Sequence, residues 1–197
     1  TRISGVQFYI DELNKMPKDK LLKLAAFVKQ EGLKVSIECG GTLNADWKDE
    51  AGERSAQVEL AKINNWHRAG GSVDYLNLDG PIRRLLGYDG WNQGPPFTSV
   101  QRCVDELVDY LKAIKDAHPE IHFFILTNFP NWGYRGDVSY HARDRNRQDY
   151  GDYDTVIKIV LDKVQEAGLR IDAVTVDNPY EYLIGEHMSV NLRNPKT

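Results

Sequence analysis

The chain has 197 residues, of which 41% are hydrophobic and 27% are charged, values that are ordinary for a soluble globular protein. This length corresponds to one domain with a sizeable core. The net charge of −4 provides no basic patch for a polyanion, so we expect no nucleic-acid partner. No apolar run is long enough to cross a bilayer, so we expect no membrane partner.

Two cysteines, Cys39 and Cys103, are too few for a disulfide framework. Cys103 falls on the apolar stripe of a predicted helix, where we expect a buried free thiol, and we expect Cys39 to be unreactive. The cysteines do not identify a compartment, and we favour a secreted or periplasmic location over a cytoplasmic one. The first residue is Thr rather than Met, so we expect that a preceding segment has been removed.

Strand and helix patterns alternate from the start of the chain. GVQFYIDEL predicts the first strand, a helix is predicted over about 17–31, and LKVSIECGG predicts the second strand. A second helix is predicted over 53–69. VDYLNLDGPIRR, which begins at Val73, then predicts the third strand and a turn at Gly80-Pro81.

The third helix has the clearest pattern, because apolar residues recur at helical spacing from Val100 to Ile114. Thr98 and Gln101 form a predicted capping box at its start. IHFFILTNFP predicts the fourth strand, the segment 153–167 the fourth helix, and IDAVTVDNPY the fifth strand. We predict one domain over 1–197, of which about 183–197 form a polar tail.

This alternation predicts an α/β fold with a parallel sheet and right-handed crossovers. A doubly wound sheet would bury both faces of its strands, whereas the strands of a barrel turn one face to the lumen. Polar or mixed side chains recur on one face of every strand, which favours the barrel. That face comprises Gln7, Tyr9, Asp11, Ser36, Glu38, Tyr75, Asn77, Asp79, Thr175 and Asp177 on four strands, and the fourth strand shows the weakest alternation.

We therefore predict a (β/α) TIM-type barrel with five strands and four helices visible. A closed barrel of this type has eight strands and about 250 residues. We expect the chain to be an incomplete barrel or a part of a larger one.

The predicted site lies at the carboxyl ends of the strands, where TIM barrels place their active sites. Each of the five strands ends there in a carboxylate or an amide, namely Asp11, Glu38, Asp79, Asn128 and Asp177. An Asp or Asn at a strand end can also cap the following turn. Five such residues on one face are better explained by a binding or catalytic site.

Aromatic residues occupy the loops beyond these strand ends. They are Trp47, Trp91, Trp132, Tyr134 and Tyr180. Aromatic rings stack on the C–H faces of sugars while neighbouring carboxylates and amides bind the hydroxyl groups. The alternative is that the tryptophans pack the loops onto the barrel rim, which we expect for at least one of them. Trp66 lies in a helix and is predicted to be core.

Glycoside hydrolysis requires two carboxyl groups beside the scissile bond. We predict Asp79 and Asp177, from alternate strands, as catalytic residues, with Glu38 as the next candidate and as the acid. Arg83 or Arg84 is expected to hold Asp79. The substrate-binding candidates are Asp11, Trp47, Asn77, Arg83, Trp91, Asn128, Trp132, Tyr134, Tyr180 and Glu181. This interpretation requires a carbohydrate substrate, no cofactor and no metal ion, and it leaves the oligomeric state open.

Through SIECGG, LNLDGPIRR, LTNFPNW and VTVDNPYEY, the chain resembles the (β/α)8 glycoside hydrolases over roughly residues 5–182. The resemblance implies an enzyme that cleaves an oligosaccharide or polysaccharide. The common retaining enzymes of this group carry an Asn-Glu pair after one strand, whereas Asn128 is followed here by Phe129. The sequence therefore assigns neither a family nor a stereochemical outcome.

Three other interpretations compete with the hydrolase. A metal-dependent sugar isomerase-like barrel would bind a divalent cation through Glu38, Asp79 and Asp177. A non-catalytic barrel would keep the aromatic residues and bind carbohydrate without cleaving it. A response-regulator receiver is rejected, because the fifth strand is not followed by the expected Lys.

Overall fold

The computed structural model describes residues 3–39, 45–86, 97–127 and 152–177. The strands are β1 Gly5–Tyr9, β2 Lys34–Cys39, β3 Tyr75–Asp79, β4 His122–Thr127 and β5 Ala173–Val176. The helices are α1 Ile10–Lys15, α2 Lys18–Gln30, α3 Ala51–Arg68, α4 Pro81–Leu86, α5 Val100–Ala117 and α6 Tyr153–Glu166. A 3-10 helix covers Ala45–Glu50. No helix in the described ranges is both long and apolar enough to cross a membrane.

The five strands form one parallel sheet in the order β1-β2-β3-β4-β5. Alternate side chains of the strands point into the helical layer, where Val35, Ile37, Leu76 and Phe123 are fully buried. The register aligns the remaining side chains on the opposite face, and Glu38 stands beside Tyr9 on one side and beside Asn77 on the other. The predicted parallel α/β sheet with one polar face is confirmed.

Helices α3 and α5 pack closely on the apolar face. The Gly52 N–H at the start of α3 donates a 2.7 Å hydrogen bond to the buried Glu106 Oε2 on α5. A Cβ atom on Gly52 would lie 2.2 Å from the backbone oxygen of Glu106. Glycine at this position therefore permits the contact. Trp66 is fully buried, as predicted, and its Nε1 donates to the Ser72 carbonyl.

The first strand is shorter than GVQFYIDEL predicts. It ends at Tyr9, and Ile10 begins helix α1. Ile10 and Leu13, three residues apart, are both buried, so a helical turn places two apolar side chains in the core where a strand would place them on opposite faces. Asp11 falls in the first helical turn, where a carboxylate is favoured by the helix dipole.

Two further local features differ from the sequence prediction. The turn at Gly80-Pro81 continues directly into helix α4, because Gly80 adopts a positive φ of 52° and Pro81 occupies the first helical position. Helix α5 is capped by Ser99 and not by Thr98, since Ser99 Oγ accepts a hydrogen bond from the Arg102 N–H.

Among the described residues, the sheet ends at β5. Val174 and Val176 of this last strand are 40% and 51% exposed. They lie on the same face of the sheet as the buried core side chains of the other strands. Both cysteines are buried free thiols, and burial raises the pKa of each, so neither is poised to react.

Candidate active site

Three carboxylates meet at the carboxyl ends of the strands. Glu38 is the penultimate residue of β2, Asp79 ends β3, and Asp177 directly follows β5. The Asp177 N–H donates a 2.8 Å hydrogen bond to the Thr127 carbonyl, which continues the sheet ladder to this residue. Asp79 and Asp177 both interact electrostatically with Glu38. The structure therefore places the three residues predicted to be catalytic at one edge of the sheet, where their charges influence one another.

Glu38 occupies the most enclosed position of the three and is only 9% exposed. Burial raises its pKa above the ordinary value, and the negative charges of Asp79 and Asp177 raise it further. A hydrogen bond from Gln7 and the positive charge of Arg84 oppose this rise. The net effect is a raised pKa for Glu38, which is the direction that a general acid requires.

Asp79 is held by Arg84. The guanidinium donates from Nη2 to Asp79 Oδ2 at 2.5 Å and from Nε to the Asp79 carbonyl at 3.1 Å. The turn at Gly80 and the start of helix α4 bring the two residues together. Of the two arginines considered, the partner of Asp79 is thus Arg84, while Arg83 borders a small, mostly apolar cavity behind the strand end.

A hydrogen-bonded group lies beneath the carboxylates. Gln7 Nε2 donates to Glu38 Oε2 at 2.9 Å, and Gln7 Oε1 accepts from Ser36 Oγ and from Asn77 Nδ2. Asn77 was predicted to bind substrate, but it is fully buried, so a ligand at the strand ends cannot reach its side chain. Its amide supports Gln7 instead.

Tyr9 is a candidate site residue that the sequence analysis does not select. It ends β1 beside Glu38 and is 61% exposed, which is unusual for so large an aromatic side chain. The charge of Glu38 is the main cause of its raised pKa, followed by burial and by the charges of Asp177 and Asp79. Its place on the polar face is visible in the sequence, but a first strand that extends to Asp11 makes Asp11 rather than Tyr9 the strand-end residue.

Asp11 does not lie at the site. It belongs to helix α1, and its Oδ1 is 2.8 Å from Lys62 Nζ on helix α3. Its carboxylate therefore contributes to the packing of the helices and not to the polar face of the sheet.

Trp47 also lies away from the carboxylates. It is partly buried against the hydrophobic core and borders a shallow groove whose other lining residues belong to the segment 50–61. This is the packing alternative that was expected for at least one of the tryptophans.

Six predicted binding residues lie outside the described residues, namely Trp91, Asn128, Trp132, Tyr134, Tyr180 and Glu181. Within the described ranges, no group of three or more His, Cys, Asp or Glu side chains is arranged to hold a metal ion.

No protein-family model and no curated protein sequence matches the chain. Among solved structures it is similar to D-psicose 3-epimerase from Clostridium cellulolyticum H10, solved with D-tagatose, with a TM-score of 0.50 and 10% identity over 92% of this chain and 55% of the other. A second D-psicose 3-epimerase, solved in the presence of D-fructose, gives a TM-score of 0.49 and 13% identity over 88% of this chain and 52% of the other.

A third match is the GH53 catalytic domain of Ignisphaera aggregans, with a TM-score of 0.47 and 14% identity over 84% of this chain and 42% of that domain. The chain spans about half the length of the solved structures that it matches. The likeness to the epimerase with D-tagatose shows the fold alone, and the described sheet and helices form an incomplete TIM-type barrel.

Proposed function

We propose that the chain is part of a carbohydrate-processing TIM-barrel enzyme, and specifically of a glycoside hydrolase that cleaves an oligosaccharide or polysaccharide. One observation carries the proposal. Two carboxyl groups at the strand ends have unlike surroundings, since Glu38 is enclosed and its pKa is raised, while Asp79 is bound by an arginine. Carboxyl groups in contrasting environments are typical of acid–base pairs.

In this proposal Glu38 is the general acid. Its proton passes to the glycosidic oxygen as the bond from that oxygen to the anomeric carbon breaks, so that the leaving sugar departs as a neutral alcohol. Asp79, oriented by Arg84, either activates the attacking water or attacks the anomeric carbon itself. Asp177 provides a third carboxylate that stabilises positive charge developing on the sugar ring.

Tyr9 is proposed to contact the substrate. Its exposed ring stands beside Glu38, where it provides an apolar surface for a sugar ring and a hydroxyl for hydrogen bonding. This arrangement combines an aromatic surface with acidic groups, which is typical of sites that bind neutral, hydroxyl-rich ligands.

A sugar epimerase or isomerase is the second candidate. The structure with which the chain shares its fold was solved as a D-psicose 3-epimerase with D-tagatose, and the same carboxyl groups could move a proton between adjacent carbons of a ketose. In this case a divalent cation would need ligands besides Glu38, Asp79 and Asp177, because no group of three His, Cys, Asp or Glu side chains in the described ranges is arranged to hold one. Binding of carbohydrate without turnover is the third candidate.

The test compares purified wild-type protein with Glu38→Gln and Asp79→Asn. Each protein is incubated with oligosaccharides, in an assay for released reducing ends, and with ketohexoses in the presence and absence of Mn²⁺, in a chromatographic assay for epimers. We expect hydrolysis by the wild type and a loss of about 10²-fold or more in both variants. Glu166→Gln and Asp162→Asn are matched controls, because both side chains are exposed on helix α6.

The outcomes distinguish the candidates. Epimer formation that depends on Mn²⁺ would replace the hydrolase with the isomerase. Ligand-induced stabilisation without turnover, in the wild type and both variants, would identify a binding protein. Hydrolysis that both variants retain at the wild-type rate would contradict the assignment of Glu38 and Asp79.

A further inference from the structure

Gln7 connects three neighbouring strands beneath the carboxylates. Its side chain extends from β1, donates from Nε2 to Glu38 Oε2 on β2, and accepts at Oε1 from Ser36 on β2 and from Asn77 on β3. The three hydrogen bonds measure 2.9, 3.0 and 3.1 Å, within the usual range. Every polar atom of the Gln7 side chain thus has a partner at the site.

The partners of Gln7 determine which way its amide points. The Asn77 NH₂ group can only donate, so the oxygen of Gln7 faces Asn77 and Ser36. The NH₂ group of Gln7 must then face Glu38. Asn77 is fully buried between β2 and β4, and its Nδ2 bonds Gln7 while its Oδ1 has no hydrogen-bond partner in the described structure.

This orientation distinguishes the two oxygens of Glu38. Oε2 accepts a hydrogen bond from Gln7 and cannot direct a proton of its own toward that donor. A proton on Glu38 is therefore favoured at Oε1, the oxygen that Gln7 does not bind.

We propose that Gln7 is a positioning residue that keeps Glu38 Oε2 unprotonated and so assigns the transferable proton of Glu38 to Oε1. The catalytic use of that proton rests on the proposed function, whereas its placement does not. Ser36 and Asn77 act through Gln7 by holding its amide in the donating orientation.

The test removes the amide with Gln7→Met, which keeps the length of the side chain. The side-chain carboxyl carbons are labelled with ¹³C, the Glu38 signal is identified by its loss in Glu38→Gln, and the titration of Glu38 is followed by NMR. We expect Gln7→Met to shift the titration of Glu38 to higher pH, because the bond from Gln7 favours the ionised form. Gln57→Met, at an exposed position of helix α3, is the matched control and should leave the titration unchanged.

A shift to lower pH would overturn the proposal, since it would mean that the amide normally accepts the Glu38 proton in the opposite orientation. An unchanged titration would also overturn it. Ser36→Ala provides a second measurement, because it retains the Gln7–Glu38 bond and should shift the titration in the same direction but less. If Gln7→Met unfolds the protein, the Ser36→Ala titration decides alone, and no shift there counts against the proposal.

The same variants separate this inference from the proposed function. If the substrate assays detect no turnover, the NMR titration still reports on Gln7 and Glu38. If hydrolysis is present, Gln7→Met should lower kcat about 10- to 100-fold, as expected for a displaced catalytic group. The alkaline limb of its pH–rate profile should move to higher pH together with the Glu38 titration, an effect that a purely structural residue would not produce.

Discussion

Glu59 is predicted to make the protein less stable as the pH rises from acid to neutral. It lies on helix α3 and is 1% exposed. Lys62 Nζ is 3.5 Å from its Oε1 but is closer to Asp11, at 2.8 Å, so Lys62 compensates only part of the buried charge. Burial is the main cause of the shift of its pKa from 4.5 to about 7.

The size of the effect follows from this difference. The pKa of Glu59 is about 7 in the folded chain and 4.5 in the unfolded chain. This difference corresponds to a change of about 3 kcal/mol in the free energy of unfolding. Between these two values the folded chain holds a proton that the unfolded chain has released. Stability therefore falls as the pH rises through this interval, and above it the folded chain bears the full cost of an ionised, buried Glu59.

The assay compares wild type with Glu59→Gln by urea denaturation at pH 4 and at pH 8. The glutamine side chain in Glu59→Gln cannot ionise. The free energy of unfolding of the variant minus that of the wild type should therefore be about 3 kcal/mol larger at pH 8 than at pH 4. Glu53→Gln, exposed on the same helix, should show no such change. An equal difference between wild type and Glu59→Gln at both pH values would refute the reasoning.

Two further predictions concern packing and acid stability. Gly52→Ala should lower the free energy of unfolding by about 1–3 kcal/mol in urea denaturation, because its Cβ would lie 2.2 Å from the Glu106 backbone oxygen, and an unchanged midpoint would contradict the close helix contact. The pKa of His67 is lowered by burial and by the neighbouring His118, so the folded chain resists protonation and should lose stability as the pH falls through 6.5. Thermal melts between pH 7.5 and 5.5 should show a smaller fall in melting temperature for His67→Gln than for the wild type. An identical pH dependence in both would contradict this role of His67.

The sheet was predictable because its signals are local. Alternation in β2, β3 and β5 identified the polar face, and the apolar spacing from Val100 to Ile114 identified helix α5 within the bounds of the structure. Parallel register then carries strand-end residues to one edge, so Glu38, Asp79 and Asp177 could be grouped without knowledge of any contact.

The features of the fold and the site that the sequence did not predict depend on contacts between distant residues. Alternation continues through Ile10 and Asp11, but burial of Ile10 and Leu13 against the helices favours a helical turn there. The choice between Arg83 and Arg84 depends on the direction in which helix α4 leaves the Gly80 turn, which the sequence does not encode locally. The burial of Asn77 likewise reflects its neighbours on two adjacent strands.

The strictly sequential order of the strands has a consequence for folding. Among the described strands, each pairs with its neighbours in chain order, from β1 at one edge to β5 at the other. A strand that lay between two strands distant in the chain could pair fully only after those distant segments had met. In this sheet each new strand instead adds to an edge that has already formed. The sheet can therefore grow from the amino terminus during synthesis, and β1 to β3, which carry Gln7, Glu38 and Asp79, can come together before β5 has been made.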